Sequence, residues 1–102
     1  MKYYRFILMC ILITTLSAVV TAQSAADLYK GKCQGCHGVD GHASPIGKKL
    51  GAKDFNDPDV AKMSQADLVR ITTEGKNRMP AYKGRLTEQE MKELAKYVKE
   101  MK

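Results

Sequence analysis

Residues 32–38 read Lys-Cys-Gln-Gly-Cys-His-Gly, two thiols three positions apart with an imidazole directly after the second. Four chemistries use such a cluster: a disulfide, a redox dithiol, a zinc knuckle and a covalently attached haem. A structural zinc ion needs four ligands, and only Cys33, Cys36, His37 and His42 are at hand. As neighbours, Cys36 and His37 are awkwardly placed to reach one tetrahedral ion beside Cys33, and no second Cys-x-x-Cys or His-x₃-His completes the pattern. A dithiol oxidoreductase places its motif after a strand, and no stretch of this chain alternates like one. A Cys33–Cys36 disulfide would close a tiny loop, constrain the unfolded chain little and leave His37 idle. Haem attachment employs all three residues. Cys33 and Cys36 form thioethers with the vinyl groups, and His37 lies beneath the iron as one axial ligand.

The second axial position decides between electron transfer and chemistry on a bound molecule. Its candidates are Met63, Met79, Met91, Met101 and His42. Met63 precedes the cap Ser64 and can staple to Leu68, and Met91 stands four residues after the cap Thr87 and can staple to Leu86. Met101 is one residue from the end, where chains fray. His42 follows His37 by only five residues, which makes the opposite face of one ring hard to reach. Met79 remains, in a loop with no evident structural task, followed by Pro80, which favours an extended backbone before it.

These groups need elements to hold them. Ser24-x-x-Asp27, Ser64-x-x-Asp67 and Thr87-x-x-Glu90 carry the hydroxyl-then-carboxylate spacing of a capping box, and Asp57-Pro58 adds an N-cap with proline after it. The spacing predicts helices over 25–32, 58–62, 65–74 and 88–101, with Gly75 stopping the third. Met91, Leu94, Ala95, Val98 and Met101 form an apolar stripe on the last helix, with Tyr97 at its edge, for Leu28 and Tyr29 to pack against. Glu88 and Lys92 are ordered for a surface ion pair. Glycine-rich loops, 35–51 and 75–84, connect these elements. The expected fold class is all-α, about four short helices and loops.

The first 22 residues differ from the rest. Lys2 and Arg5 precede an apolar run from Phe6 to Val20 that ends in Val-Thr-Ala, the composition of a secretory signal peptide cleaved after Ala22. The run is shorter than the roughly 20 residues needed to span a bilayer. Residues 1–22 are therefore expected to direct export to the periplasm, and residues 23–102 to form one domain. Without Lys2 and Arg5, 15 basic residues face 11 acidic ones, a balance of +4. So small a domain gains only about 3–5 kcal/mol from its core alone and commonly needs a staple, which a buried macrocycle would provide.

With these residues in view, the chain resembles the class I, or mitochondrial-like, monohaem cytochromes c. Cys33-Gln34-Gly35-Cys36-His37, Met79-Pro80, Tyr29 in the first helix and Leu94 with Tyr97 in the last carry the resemblance across residues 24–102. The segment GKKLGAKDF before the third helix is similar to short bacterial periplasmic members. The resemblance implies the cytochrome c fold around one haem c bound through two thioethers. It further implies a low-spin iron held by His37 and Met79, and a soluble electron carrier rather than an enzyme. It also implies that the Pro45 carbonyl accepts a hydrogen bond from the inner nitrogen of His37, fixing the ring. The lack of tryptophan leaves the propionate donors open among Lys48, Lys49, Asn77 and Arg78. A haem enzyme with an open axial site, peroxidase-like, is the alternative, and it requires Met79 to be absent from iron. Lys30, Lys32, Lys48, Lys49, Lys53, Lys76, Arg78, Lys83 and Arg85 flank the motif and the methionine loop, with Asp40 the one acid among them. Such a basic rim suits acidic redox-partner proteins. Export argues against nucleic acid, contact with membranes comes only through partner complexes, and the expected state is a monomer.

Overall fold

The computed structural model describes residues 23–101. Its helices are α1 (Ala25–Lys32), α2 (Gln34–His37), α3 (Pro45–Lys49), α4 (Pro58–Ala61), α5 (Gln65–Glu74) and α6 (Glu88–Glu100). No strand occurs among the described residues, and two isolated bridges, Lys76–Met79 and Lys83–Leu86, mark tight turns. The fold is all-α, and the four expected helices form within one residue of their predicted bounds. The export segment, residues 1–22, lies outside the described residues.

Two helices depart from the expected loop over 35–51. The first, α2, has four residues, too few for an apolar period to show, and it contains Gly35. The second, α3, starts where Ser44 accepts from the Gly47 N–H at 3.0 Å and Pro45 takes the first helical position. That is the same signal that opens α4, where Asp57 caps and Pro58 follows. At Ser64 and Thr87 both halves of the capping box close, while at Ser24 only the hydroxyl half forms. Each such cap is worth about 1 kcal/mol.

The core lies where α1 meets α6. Leu28 and Tyr29 are each 2% exposed, and Met91, Leu94 and Ala95 bury the stripe of α6 against them. Tyr82 and Leu86, from the connection between α5 and α6, complete the cluster, and Val69, Tyr97, Val98 and Met101 pack at its edge. The Tyr29 ring stands 5.4 Å from Tyr97 and 6.3 Å from Phe55. Its hydroxyl donates to the Gly38 carbonyl at 2.6 Å, which removes the cost of burying it unpaired. Burial pushes that phenol up to about 12, so it stays a donor. The core therefore touches the chain immediately after His37.

Candidate functional site

The thiols and the imidazole lie on a break between two helices. Cys33 ends α1, its N–H bonded to the Tyr29 carbonyl at 2.9 Å. Cys36 and His37 then bond back to the Cys33 carbonyl at 3.2 and 3.0 Å, opening α2. Both thiols are free and half-buried, and burial pushes the Cys33 thiol up. The His37 ring stacks on Phe55, with centroids 4.9 Å apart and planes at 29°. Burial lowers the pKa of His37, which keeps the imidazole neutral with a lone pair to give. Its Nδ1 is buried without a hydrogen-bond partner, the one such side-chain atom among the described residues. A buried polar nitrogen left unpaired costs about 1–3 kcal/mol and calls for an explanation. Two half-buried thiols beside a neutral imidazole, gathered on one helix break, fit covalent attachment of haem.

α3 seats itself against this motif. Gly47 lies so close to the Cys36 carbonyl that a Cβ there would overlap the oxygen. The Ser44 N–H donates to the Cys36 carbonyl at 3.0 Å, and its hydroxyl donates to the Gly35 carbonyl at 2.7 Å. Pro45 thereby comes to the same region as His37, although no hydrogen bond joins its carbonyl to the imidazole in this structure. Farther along the loop, the exposed His42 ring lies 3.5 Å from Asp54, which also accepts from the Ala43 N–H at 2.7 Å. That N–H first, and the histidine second, hold the Asp54 carboxyl below the ordinary range.

Met79 is held by its neighbours in a different way. Gly75 ends α5 at φ +75, and a Cβ on it would come within 2.7 Å of the Met79 carbonyl. Lys76 and Met79 exchange both backbone bonds, at 3.1 and 2.9 Å, around a turn in which Asn77 takes a left-handed φ of 53. Asparagine is among the few residues that accept this backbone region. Beyond Pro80, the Tyr82 and Lys83 N–H groups bond to the Thr72 and Thr73 carbonyls at 2.9 and 3.2 Å, satisfying free acceptors at the end of α5. Half-buried Met79 is thus fixed on both sides.

Three of the competing candidates, Met91, Met101 and His42, have other occupations. Met91 is 4% exposed in the core, with the Thr73 hydroxyl 3.4 Å from its sulfur. Met101 caps α6 against the core, and the Met63 carbonyl accepts from the Lys99 ammonium. His42 faces Asp54 instead. Lys48 and Lys49 are exposed on α3, and Asn77 and Arg78 are exposed at the tip of the turn.

Three residues outside the expected set shape the site: Ser44, Phe55 and Tyr82. The Tyr82 hydroxyl donates to the Lys32 carbonyl at 3.1 Å, joining the methionine loop to the thiol motif across 50 residues of sequence. A Ser-Pro pair signals the first, and Phe55 is the one phenylalanine after residue 22. Nothing local signals the third.

Charge is unevenly distributed. Ion pairs among the described residues join His42 to Asp54, Lys53 and Lys62 to Asp59, Arg70 to Asp67, and Lys92 to Glu88 at 3.1 Å as the helix spacing predicts. None engages Lys30, Lys32, Lys48, Lys49, Lys76, Arg78, Lys83 or Arg85, all of them exposed.

Residues 20–98 match the family model described as cytochrome c oxidase, cbb3-type, subunit III. The chain is 33% identical to cytochrome c6 of Thermosynechococcus vestitus over 101 residues, covering 92% of this chain and 88% of that protein. It is 32% identical to a cytochrome c6-like protein of Nostoc sp., covering 97% of this chain and 92% of that protein. Among solved structures, the KustC0563 c-type cytochrome superposes with a TM-score of 0.73 at 34% identity, over 78% of this chain and 99% of that one.

Proposed function

The chain belongs to the class I monohaem c-type cytochromes, within the family of the matching cbb3-type subunit III model. From that premise we propose that Cys33 and Cys36 anchor its haem and that His37 and Met79 are the two axial ligands. The protein is an electron-transfer haem protein with one covalently bound haem c, and it is not an enzyme. The bound haem supplies a single iron that takes up and gives back one electron. All else is the work of the chain.

One observation supports the ligand assignment above the rest: His37 presents a neutral, stacked ring with an orphan Nδ1, immediately beside two free thiols. Cys33 and Cys36 act as tethers that hold the ring edge on the break between α1 and α2. His37 would hold the iron through its outer nitrogen, and its Nδ1–H would then call for an acceptor, which we assign to the Pro45 carbonyl on adjoining α3. Such a bond raises the basicity of the imidazole and fixes its plane. Met79, on a loop that backbone bonds hold in place, would supply the iron with a soft thioether that favours the reduced ion and raises the potential. An iron held by both residues would have no open position for a substrate.

As an electron carrier the protein exchanges electrons with redox partners. We assign those partners an acidic docking surface, because the basic residues near the motif and the methionine loop, Lys53 apart, form no ion pair among the described residues. Residues 1–22 are proposed as a signal that delivers the domain, residues 23–102, to the periplasm as a monomer. Matured protein tests the assignment. Its haem is expected to resist acid–acetone extraction, and its ferric spectrum to show a weak band at the red end that disappears on reduction. Extractable haem would remove the thioethers, and a high-spin ferric spectrum would remove Met79 and restore the open-site alternative.

A further inference from the structure

We propose that Tyr82 is a positioning residue for the sixth ligand: its hydroxyl latches the methionine loop to the chain entering the haem motif and limits displacement of Met79 by outside ligands. The inference rests on Met79 being that ligand.

The latch closes on an acceptor that the fold leaves free. Because Cys36 and His37 bond back to the Cys33 carbonyl, no backbone N–H reaches the carbonyl of Lys32 among the described residues. It is an orphan at the end of α1, one residue before the first thiol. The Tyr82 hydroxyl satisfies it at 3.1 Å. Tyr82 is 7% exposed, and the Arg85 guanidinium lies 4.9 Å over its ring. Burial raises its pKa, so the phenol keeps the proton it donates.

Position makes the latch relevant to Met79. Tyr82 follows Met79 by three residues, a span of at most about 11 Å of chain. The segment between them includes Pro80, whose ring fixes one dihedral angle and removes slack. Outward movement of Met79 is therefore resisted while the Tyr82 hydroxyl holds the Lys32 carbonyl. Tyr82 also has a second anchor, its N–H on the Thr72 carbonyl at 2.9 Å, which survives loss of the hydroxyl. Tyr82→Phe should accordingly keep the loop folded and the ring packed while loosening only the tie to the motif.

A net hydrogen bond of ordinary strength corresponds to roughly a three- to tenfold change in the population of an opened loop. The experiment is an imidazole titration of the ferric holoprotein in three forms: unmodified, Tyr82→Phe and Thr87→Ala. Thr87→Ala removes the α6 cap at a comparable cost to stability and touches no part of the methionine loop. The expected result is a three- to tenfold higher imidazole affinity in Tyr82→Phe alone, with the red-end sulfur band retained before imidazole is added. Equal affinities in Tyr82→Phe and Thr87→Ala would overturn the latch while leaving Met79 in place. Absence of the band from the unmodified protein would overturn the Met79 assignment, and the latch with it.

Discussion

The two halves of the site are held by different means. On the histidine side the contacts are dense and close in sequence: Tyr29 on Gly38, Ser44 on Gly35, Gly47 against Cys36 and Phe55 stacked on His37. The two thioethers proposed for Cys33 and Cys36 would reinforce them. On the methionine side a two-residue turn and two backbone bonds hang the loop from α5, and one hydroxyl ties it to the other half across 50 residues. The first half is specified by its own segment. The second depends on α1 and α5 having docked, which places it at the less stable end of the fold. The side expected to yield first is the sulfur side.

The sharpest contrast is ligand removal. His37→Ala should give no stable coloured protein, whereas Met79→Ala should keep its covalent haem, turn high-spin when ferric and drop in reduction potential. Absorption spectra and potentiometry check both. If the two variants lose haem equally, the halves are not different in kind.

Glycine substitutions come next in size. Gly47→Ala forces a Cβ into the Cys36 carbonyl, and backbone overlap of this kind should cost about 3 kcal/mol or more. Gly75→Ala meets the Met79 carbonyl at 2.7 Å and a backbone region open essentially to glycine alone, for about 1–3 kcal/mol. Thermal unfolding of the holoproteins measures both. Only Gly75→Ala should also weaken the sulfur band.

Surface charge gives a smaller effect. Lys30→Glu with Lys32→Glu on one half, against Lys76→Glu with Lys83→Glu on the other, should each slow electron transfer to an acidic partner and flatten its dependence on ionic strength. The half with the larger change is the half the partner covers. Rates that ignore salt in the unmodified protein would remove the basic docking surface.

Acid provides the smallest effect. Asp54, which braces the histidine-side loop, has a carboxyl held below the ordinary range by the Ala43 N–H. A group whose folded pKa is depressed adds stability above its unfolded value, near ~3.9, and loses it as pH falls through the folded value. Unfolding midpoints should fall below about pH 4, and Asp54→Asn should reduce that slope slightly, since the group is partly exposed.

Much of this architecture could be read from the residues. Hydroxyl-and-carboxylate caps marked three helices and an Asp-Pro pair a fourth, because capping acts over three residues and leaves a local trace. The apolar stripe of α6 and its packing on Leu28 and Tyr29 followed from helical spacing. The motif at Cys33–His37 is short and contiguous, so its chemistry was visible at once. α3 carried a Ser-Pro signal that the surrounding glycines obscured, and α2 was too short to leave a period. Phe55 against His37 and Tyr82 against Lys32 were not legible, since contacts spanning 18 and 50 positions leave no local spacing to read.

X-ray absorption at the iron edge of the ferric holoprotein addresses the central claim directly. Five nitrogen scatterers and one sulfur at bonding distance are the expected shell, with the sulfur contribution gone in Met79→Ala. A shell of nitrogen and oxygen alone, or a five-coordinate iron, would contradict an account in which His37 and Met79 close the two faces.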